Sequence, residues 1–233
     1  IAGVIFLFFC RAPLALLLKR RAIDGFYGPE APRLWLNFVV FAIAGSSVFL
    51  YFIIADELWQ LAVAAFAGIM LFLFHELLVW RRRERSVSAE LAGVALLTLT
   101  APLSVILSGC DSCWRLAVVL WLLNAMYFGA SVFYVKMRLK TRAHRRKPAS
   151  AEEKMTAARG SFFYMAVVSV MLGLLVLTGA MPVLAAAAFI PTFGYQIRCV
   201  AKGATAMTLK AEGVAQTVLS VLFALILIAS FEV

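Results

Sequence analysis

The segment LAVVLWLLNAMYFGASVFYV, residues 116–135, carries no charge, and the next dozen positions bring Lys136, Arg138, Lys140, Arg142, Arg145, Arg146 and Lys147. A helix of that length reaches about 30 Å, the thickness of the hydrocarbon core of a bilayer. A basic run directly after such a span resists translocation and sits favourably against anionic lipid. Residues 136–159 are therefore read as a cytoplasmic loop, and this one assignment sets the direction of every other crossing.

Composition agrees. Of 233 residues, 64% are hydrophobic and 15% charged, with a mean hydropathy of +0.95. A soluble domain of this size cannot bury so much apolar surface, so the class is an all-α, polytopic transmembrane helix bundle. The net charge of +10 raises nucleic acid as a partner. That reading is set aside, because the charge lies in loops between spans, where membrane orientation accounts for it.

Eight spans follow: 1–18, 34–54, 58–80, 90–107, 116–135, 161–178, 183–200 and 212–231. Asp56–Glu57 turns the second into the third, Gly179 and Pro182 turn the sixth into the seventh, and Pro191 is expected to kink the seventh. Ser150-Ala-Glu-Glu153 reads as a capping box, so a helix should begin near Ala151 and run on into the sixth span. Trp35, Trp59, Trp80 and Trp114 fall at span ends, as an interfacial belt does. Trp121 lies deeper and is read as packing. The whole of 1–233 is taken as one helical domain.

All Lys and Arg except Arg11 and Arg115 fall in 19–33, 81–88, 136–159 or the segment 198–210, while the opposite turns hold Asp56, Glu57, Asp111 and Glu232. Residues 1 and 233 are thus expected on the outer side, and loops 19–33, 81–88, 136–159 and 201–210 in the cytoplasm, facing anionic headgroups. The chain starts inside an apolar run without Met. An upstream span is therefore expected to be missing, giving nine in the full protein.

Asn124, Tyr127, Ser131, Tyr134 and Arg138 succeed one another at spacings of three and four, which puts them on one helix face. Such a stripe serves either hydrogen bonding between helices or the wall of a cytoplasm-facing cavity. Arg11, Glu90, Glu212 and Gln216 fall in the same half of the bilayer. An ionisable group there needs a partner, and Arg11 with Glu90 or Glu212 is the proposed pairing. Glu76 is read as interfacial. With His75 and His144 as the only histidines, and Cys10 and Cys199 inside separate spans, no metal site is expected. Nothing calls for a cofactor. Cys110-Asp-Ser-Cys113 in the outer turn is read as a disulfide staple, with a reactive dithiol as the alternative.

Ser88-Ala-Glu-Leu-Ala-Gly93, Leu120-Trp-Leu-Leu-Asn-Ala-Met-Tyr-Phe128 continuing to Tyr134-Val-Lys-Met-Arg138, and Lys210-Ala-Glu-Gly-Val-Ala-Gln216 resemble the YwiC-like family of bacterial integral membrane proteins. The resemblance implies a multi-pass protein of the bacterial inner membrane and carries no activity with it. The family's opening His-Gly-Ala-Trp motif is absent here, and Gln216 stands where members tend to be acidic. The span count is also similar in architecture to the UbiA-type prenyltransferases. Their chemistry needs clustered carboxylates for Mg²⁺, and no Asp-x-x-x-Asp occurs in this chain.

Four functions compete: a membrane protein with a pocket for a lipid-like or anionic ligand, a transporter, a UbiA-shaped enzyme with altered chemistry, and a scaffold or assembly subunit. The outer half holds only hydroxyls such as Thr98, Thr100, Ser104 and Thr178, which disfavours a transport path. The span map makes a direct prediction. Cysteines introduced at Ser150 and Ser112 should react with impermeant thiol reagents from opposite faces of the membrane, and labelling of both from one side would overturn the map.

Overall fold

The computed structural model describes residues 6, 9–10, 12–17, 30–83, 85–108, 113–143, 151–202 and 209–231. Every regular element among them is a helix: α1 (Ala31–Ala55), α2 (Trp59–Trp80), α3 (Val87–Thr98), α4 (Thr100–Leu107), α5 (Trp114–Ala143), α6 (Ala151–Leu177), α7 (Val183–Ala187), α8 (Ile190–Lys202) and α9 (Leu209–Phe231). Seven stretches are long and apolar enough to cross a membrane, with α3–α4 and α7–α8 each forming one crossing. They coincide with the second to eighth spans read from the sequence, so the chain is a polytopic helix bundle. The expected first span lies mostly outside the described residues. Its described part includes helical residues 12–17 and meets α1, where the Phe9 and Phe41 rings lie 5.7 Å apart.

The helices pack as two compact units, Ile1–Ala125 and Met126–Val233, divided within α5. No composition shift marks that point, which is why the sequence reads as one domain.

In the first unit, α2 packs on α1, α3 and α4 around Leu61, Ala64, Leu103, Ile106 and Ala117. Leu36, Val40, Ile43 and Ile54 on α1 stay exposed, an apolar outer face suited to lipid. Pro32, read as a loop residue, sits instead in the first turn of α1, where its missing N–H costs nothing. Ser86 caps α3 by accepting from the Ala89 amide at 3.2 Å, which places Glu90 in the first turn.

The break between α3 and α4 follows from Pro102, whose ring clashes with the Thr98 carbonyl one turn back. The Leu99 amide turns to Leu96, which releases the Ala95 carbonyl. Trp121 Nε1 donates to that carbonyl at 2.9 Å and Thr98 Oγ1 at 3.1 Å. Trp121 is thus fixed by a backbone group that the kink sets free. Pro191 does the same to the seventh span, which breaks between α7 and α8.

In the second unit, α6 runs unbroken from Ala151, so the surface helix and the sixth span are one element. It stops at Gly179, whose φ of +63° suits glycine. The Ala180 amide then reaches the Leu175 carbonyl and the Gly179 amide that of Val176, the paired bonds of a Schellman end. The basic residues after 135 do not end α5, which continues to Ala143, because Lys and Arg are good helix formers. Trp121→Phe should cost about 1 kcal/mol, the net worth of one hydrogen bond, measured as a lowered midpoint in detergent unfolding.

Candidate functional site

The second unit gathers its polar side chains on facing stripes of three helices. On α5, Tyr127, Tyr134 and Arg138 are buried, with Tyr134 fully so and Arg138 only 7% exposed. On α9, Glu212 and Gln216 are one turn apart and share a face. On α8, Thr192 and Gln196 are 2% and 1% exposed.

Arg138 Nη2 lies 3.0 Å from Glu212 Oε2. The pair is ionic by distance, though that oxygen accepts no well-aligned hydrogen bond. Tyr195 Oη donates to the other carboxylate oxygen at 3.1 Å, and the Tyr134 and Tyr195 rings lie 6.1 Å apart. Cys199 and Glu212 stand beside the Tyr134 hydroxyl as its side-chain hydrogen-bond partners, though without the alignment of a short bond. Ser161 Oγ on α6 donates to Gln196 Oε1 at 3.2 Å, leaving Gln196 Nε2 without a partner. Turning the amide over would leave the carbonyl unpartnered instead, so one half of it stays unsatisfied either way. Gln216 Nε2 is unpartnered as well.

Further along the stripe the chemistry turns apolar. Tyr127 accepts from Thr192 Oγ1 at 3.3 Å, stacks on Phe223 at 3.9 Å and meets Phe189 edge-on at 6.1 Å. This end is packed core. Tyr164 donates to the Met126 carbonyl at 3.0 Å.

The structure therefore brings together Tyr134, Arg138 and Glu212 from the sequence candidates, and adds Tyr195, Gln196, Ser161 and Cys199. Ser131 and Gln216 are half-buried on α5 and α9. Asn124 and Glu90 belong to the first unit, where the Asn124 amide donates to the Leu120 carbonyl of its own helix at 2.8 Å and Glu90 is half-buried. Arg11 lies outside the described residues, so its pairing with Glu90 or Glu212 lies there too. Cys113 is disulfide-bonded, Cys110 is outside the described residues, and Cys10 and Cys199 are free thiols.

Glu76, near the end of its span, is 4% exposed beside His75 at 5%, with His75 Nδ1 and Glu76 Oε1 3.2 Å apart. The small residues of Ser88-Ala-Glu-Leu-Ala-Gly93 let α3 come close enough to cover the pair. Ala89 and Ala92 are buried, and a Cβ on Gly93 would sit 3.8 Å from the His75 ring. That run of small residues was the available signal.

Residues 1–105 match the family described as YwiC-like protein. Over that stretch the chain is similar to that family. The YwiC-like part contains α1 to α3 and most of α4, with His75, Glu76 and the Ser88–Gly93 string, whereas the Tyr134 cluster lies beyond it. No curated protein and no solved structure matches the chain.

Because the Arg138–Glu212 pair is buried, removing one partner strands the other. Arg138→Leu should destabilise the protein by about 3–5 kcal/mol, and the Arg138→Leu/Glu212→Leu double variant should recover most of that. Reversible unfolding in mixed micelles reads both values.

Proposed function

We propose that this multi-pass membrane protein binds an anionic, hydrogen-bond-accepting group at the basic end of its second unit. One observation carries the reading: the fully buried Gln196, on the helix that brings Tyr195 to Glu212, keeps one half of its amide without a partner. A buried polar group without a partner costs about 1–3 kcal/mol, and a ligand group that pairs with it would remove that cost. Lys136, Lys140, Arg198 and Lys210 stand on the same helix ends and give the approach a positive potential. By the distribution of Lys and Arg this end faces the cytoplasm of a bacterial cell, with its anionic inner leaflet as the source of ligand.

The hydroxyls of Thr98, Thr100, Ser104 and Thr178 all donate to carbonyls of their own helices or turns, which supports a binding role over a transport path. A scaffold without ligand is the second reading. It is favoured by the tight stack of Tyr127 on Phe223, which closes the deeper half of the stripe.

Tyr134→Phe separates the two. Deleting a buried hydroxyl whose bonds to Glu212 and Cys199 are poorly aligned should cost no more than about 1 kcal/mol of stability. It should also weaken binding of dihexanoyl phosphatidic acid about tenfold, one charge-assisted hydrogen bond's worth, read by thermal shift against dihexanoyl phosphatidylcholine. Unchanged phosphatidic acid binding, or an unliganded protein destabilised by more than 1 kcal/mol, would favour the scaffold.

A further inference from the structure

A cleft of about 400 Å³ opens in the second unit between α6, α7 and the start of α8. Leu172 and Phe189, 5% and 1% exposed, form its floor, and Leu177 and Ile190, 84% and 68% exposed, form its rims. Gly173 keeps the α6 wall low, since a Cβ there would meet nothing within 4 Å. Ser169 brings the only polar side chain of the lining.

The cleft lies within the hydrocarbon layer. α6 crosses the membrane over Met155–Leu177, and the lining from Ser169 to Leu177 takes up about 12 Å of that rise. This is close to one leaflet of a core about 30 Å thick, at the end of the unit away from Arg198 and Lys210. No charged residue occurs from 160 to 197. An open apolar wall at that depth forgoes its dispersion contacts unless something fills it, and water finds no polar partners there.

Size and charge choose the occupant. Spread over that rise, the volume corresponds to a mean cross-section of about 33 Å². A helix with its side chains is about 10–12 Å across, or roughly 80 Å² and more, so a helix of a second copy is too broad to enter. It could only cross above Ser169 and Gly173, whose spacing of four suits helix approach. A single hydrocarbon chain is narrow enough, and it runs along the membrane normal as α6 does. We infer that the cleft is a lipid-chain site: one acyl chain of a bilayer lipid lies along α6 over Gly173, its headgroup left at the surface beyond Leu177. With no charge along 160–197, the site recognises the chain and is indifferent to the headgroup. Lipid on the convex outer face of α6 touches the protein on one side only, whereas a chain in the cleft touches α6, α8 and the floor between them. This site stands apart from the ligand proposed at Gln196.

The test is photo-crosslinking in phosphatidylcholine nanodiscs doped with phosphatidylcholine that carries a diazirine midway along one acyl chain. Adducts should favour Leu172, Gly173, Phe189 and Phe193 at least about fivefold over Val170 and Leu174, which are exposed on α6 at the same depth but outside the cleft. Gly173→Phe, which fills the cleft, should cut the cleft adducts about tenfold and leave those on Val170 and Leu174 unchanged. Gly173→Leu gives the same reading where the larger ring prevents folding. A phosphatidylglycerol probe with the same chain should give the same pattern. Adducts spread evenly along α6, or indifferent to both Gly173 variants, would reduce the occupant to ordinary boundary lipid and overturn the inference. Cleft adducts seen with one headgroup alone would overturn recognition by the chain. Disulfide-linked dimers formed by Gly173→Cys and absent from the parent would overturn it in favour of a second copy.

Discussion

A guanidinium and a carboxylate 3.0 Å apart inside an apolar helix bundle constrain everything around them. Neither charge is tolerable alone in a low-dielectric interior, because the effective penalty is several kcal/mol per ion. Arg138 on α5 and Glu212 on α9 must therefore meet, and that fixes the axial register of the two helices. Once they meet, the i+4 repeat carries Tyr134 and Gln216 inward, and farther along Tyr127 comes to stack on Phe223. α8 then closes the arrangement through Tyr195 on the carboxylate and Thr192 on Tyr127. The unsatisfied donors are a consequence: helices held in register by one pair cannot also be adjusted to satisfy every hydroxyl and amide nearby.

Such a junction has two uses, and they differ in what the remaining polar atoms do. A purely structural one is best when every buried group is satisfied, since a half-satisfied network is worse than an apolar core. Here the ion pair and Tyr195 are engaged, while one half of the buried Gln196 amide is left without a partner. That incompleteness, with Lys136, Lys140, Arg198 and Lys210 at the same helix ends, is what points to an acidic ligand rather than to assembly alone.

Much of this was legible in the sequence because the bilayer simplifies the rules. Span positions followed from hydropathy and length, and the α5 stripe from a spacing of three and four. The α3–α4 break was missed although Pro102 was in view, and Pro32 was misplaced because proline both ends helices and begins them. The burial of Glu76 depended on the approach of α3, which a stripe of small residues permits but does not by itself announce. Tyr195, Gln196 and Ser161 could be put in the right half of the membrane, but not on one seam, since facing partners on different helices leave no mark in a single sequence.

The central claim, that the Arg138–Glu212 junction holds an acidic ligand on the neighbouring donors, is tested most directly by an experimental structure of the protein in nanodiscs of native lipid. The account predicts density within hydrogen-bond distance of the Gln196 amide, beside Tyr134. A closed junction would contradict it: Gln196 satisfied by a neighbouring helix and no density beside it.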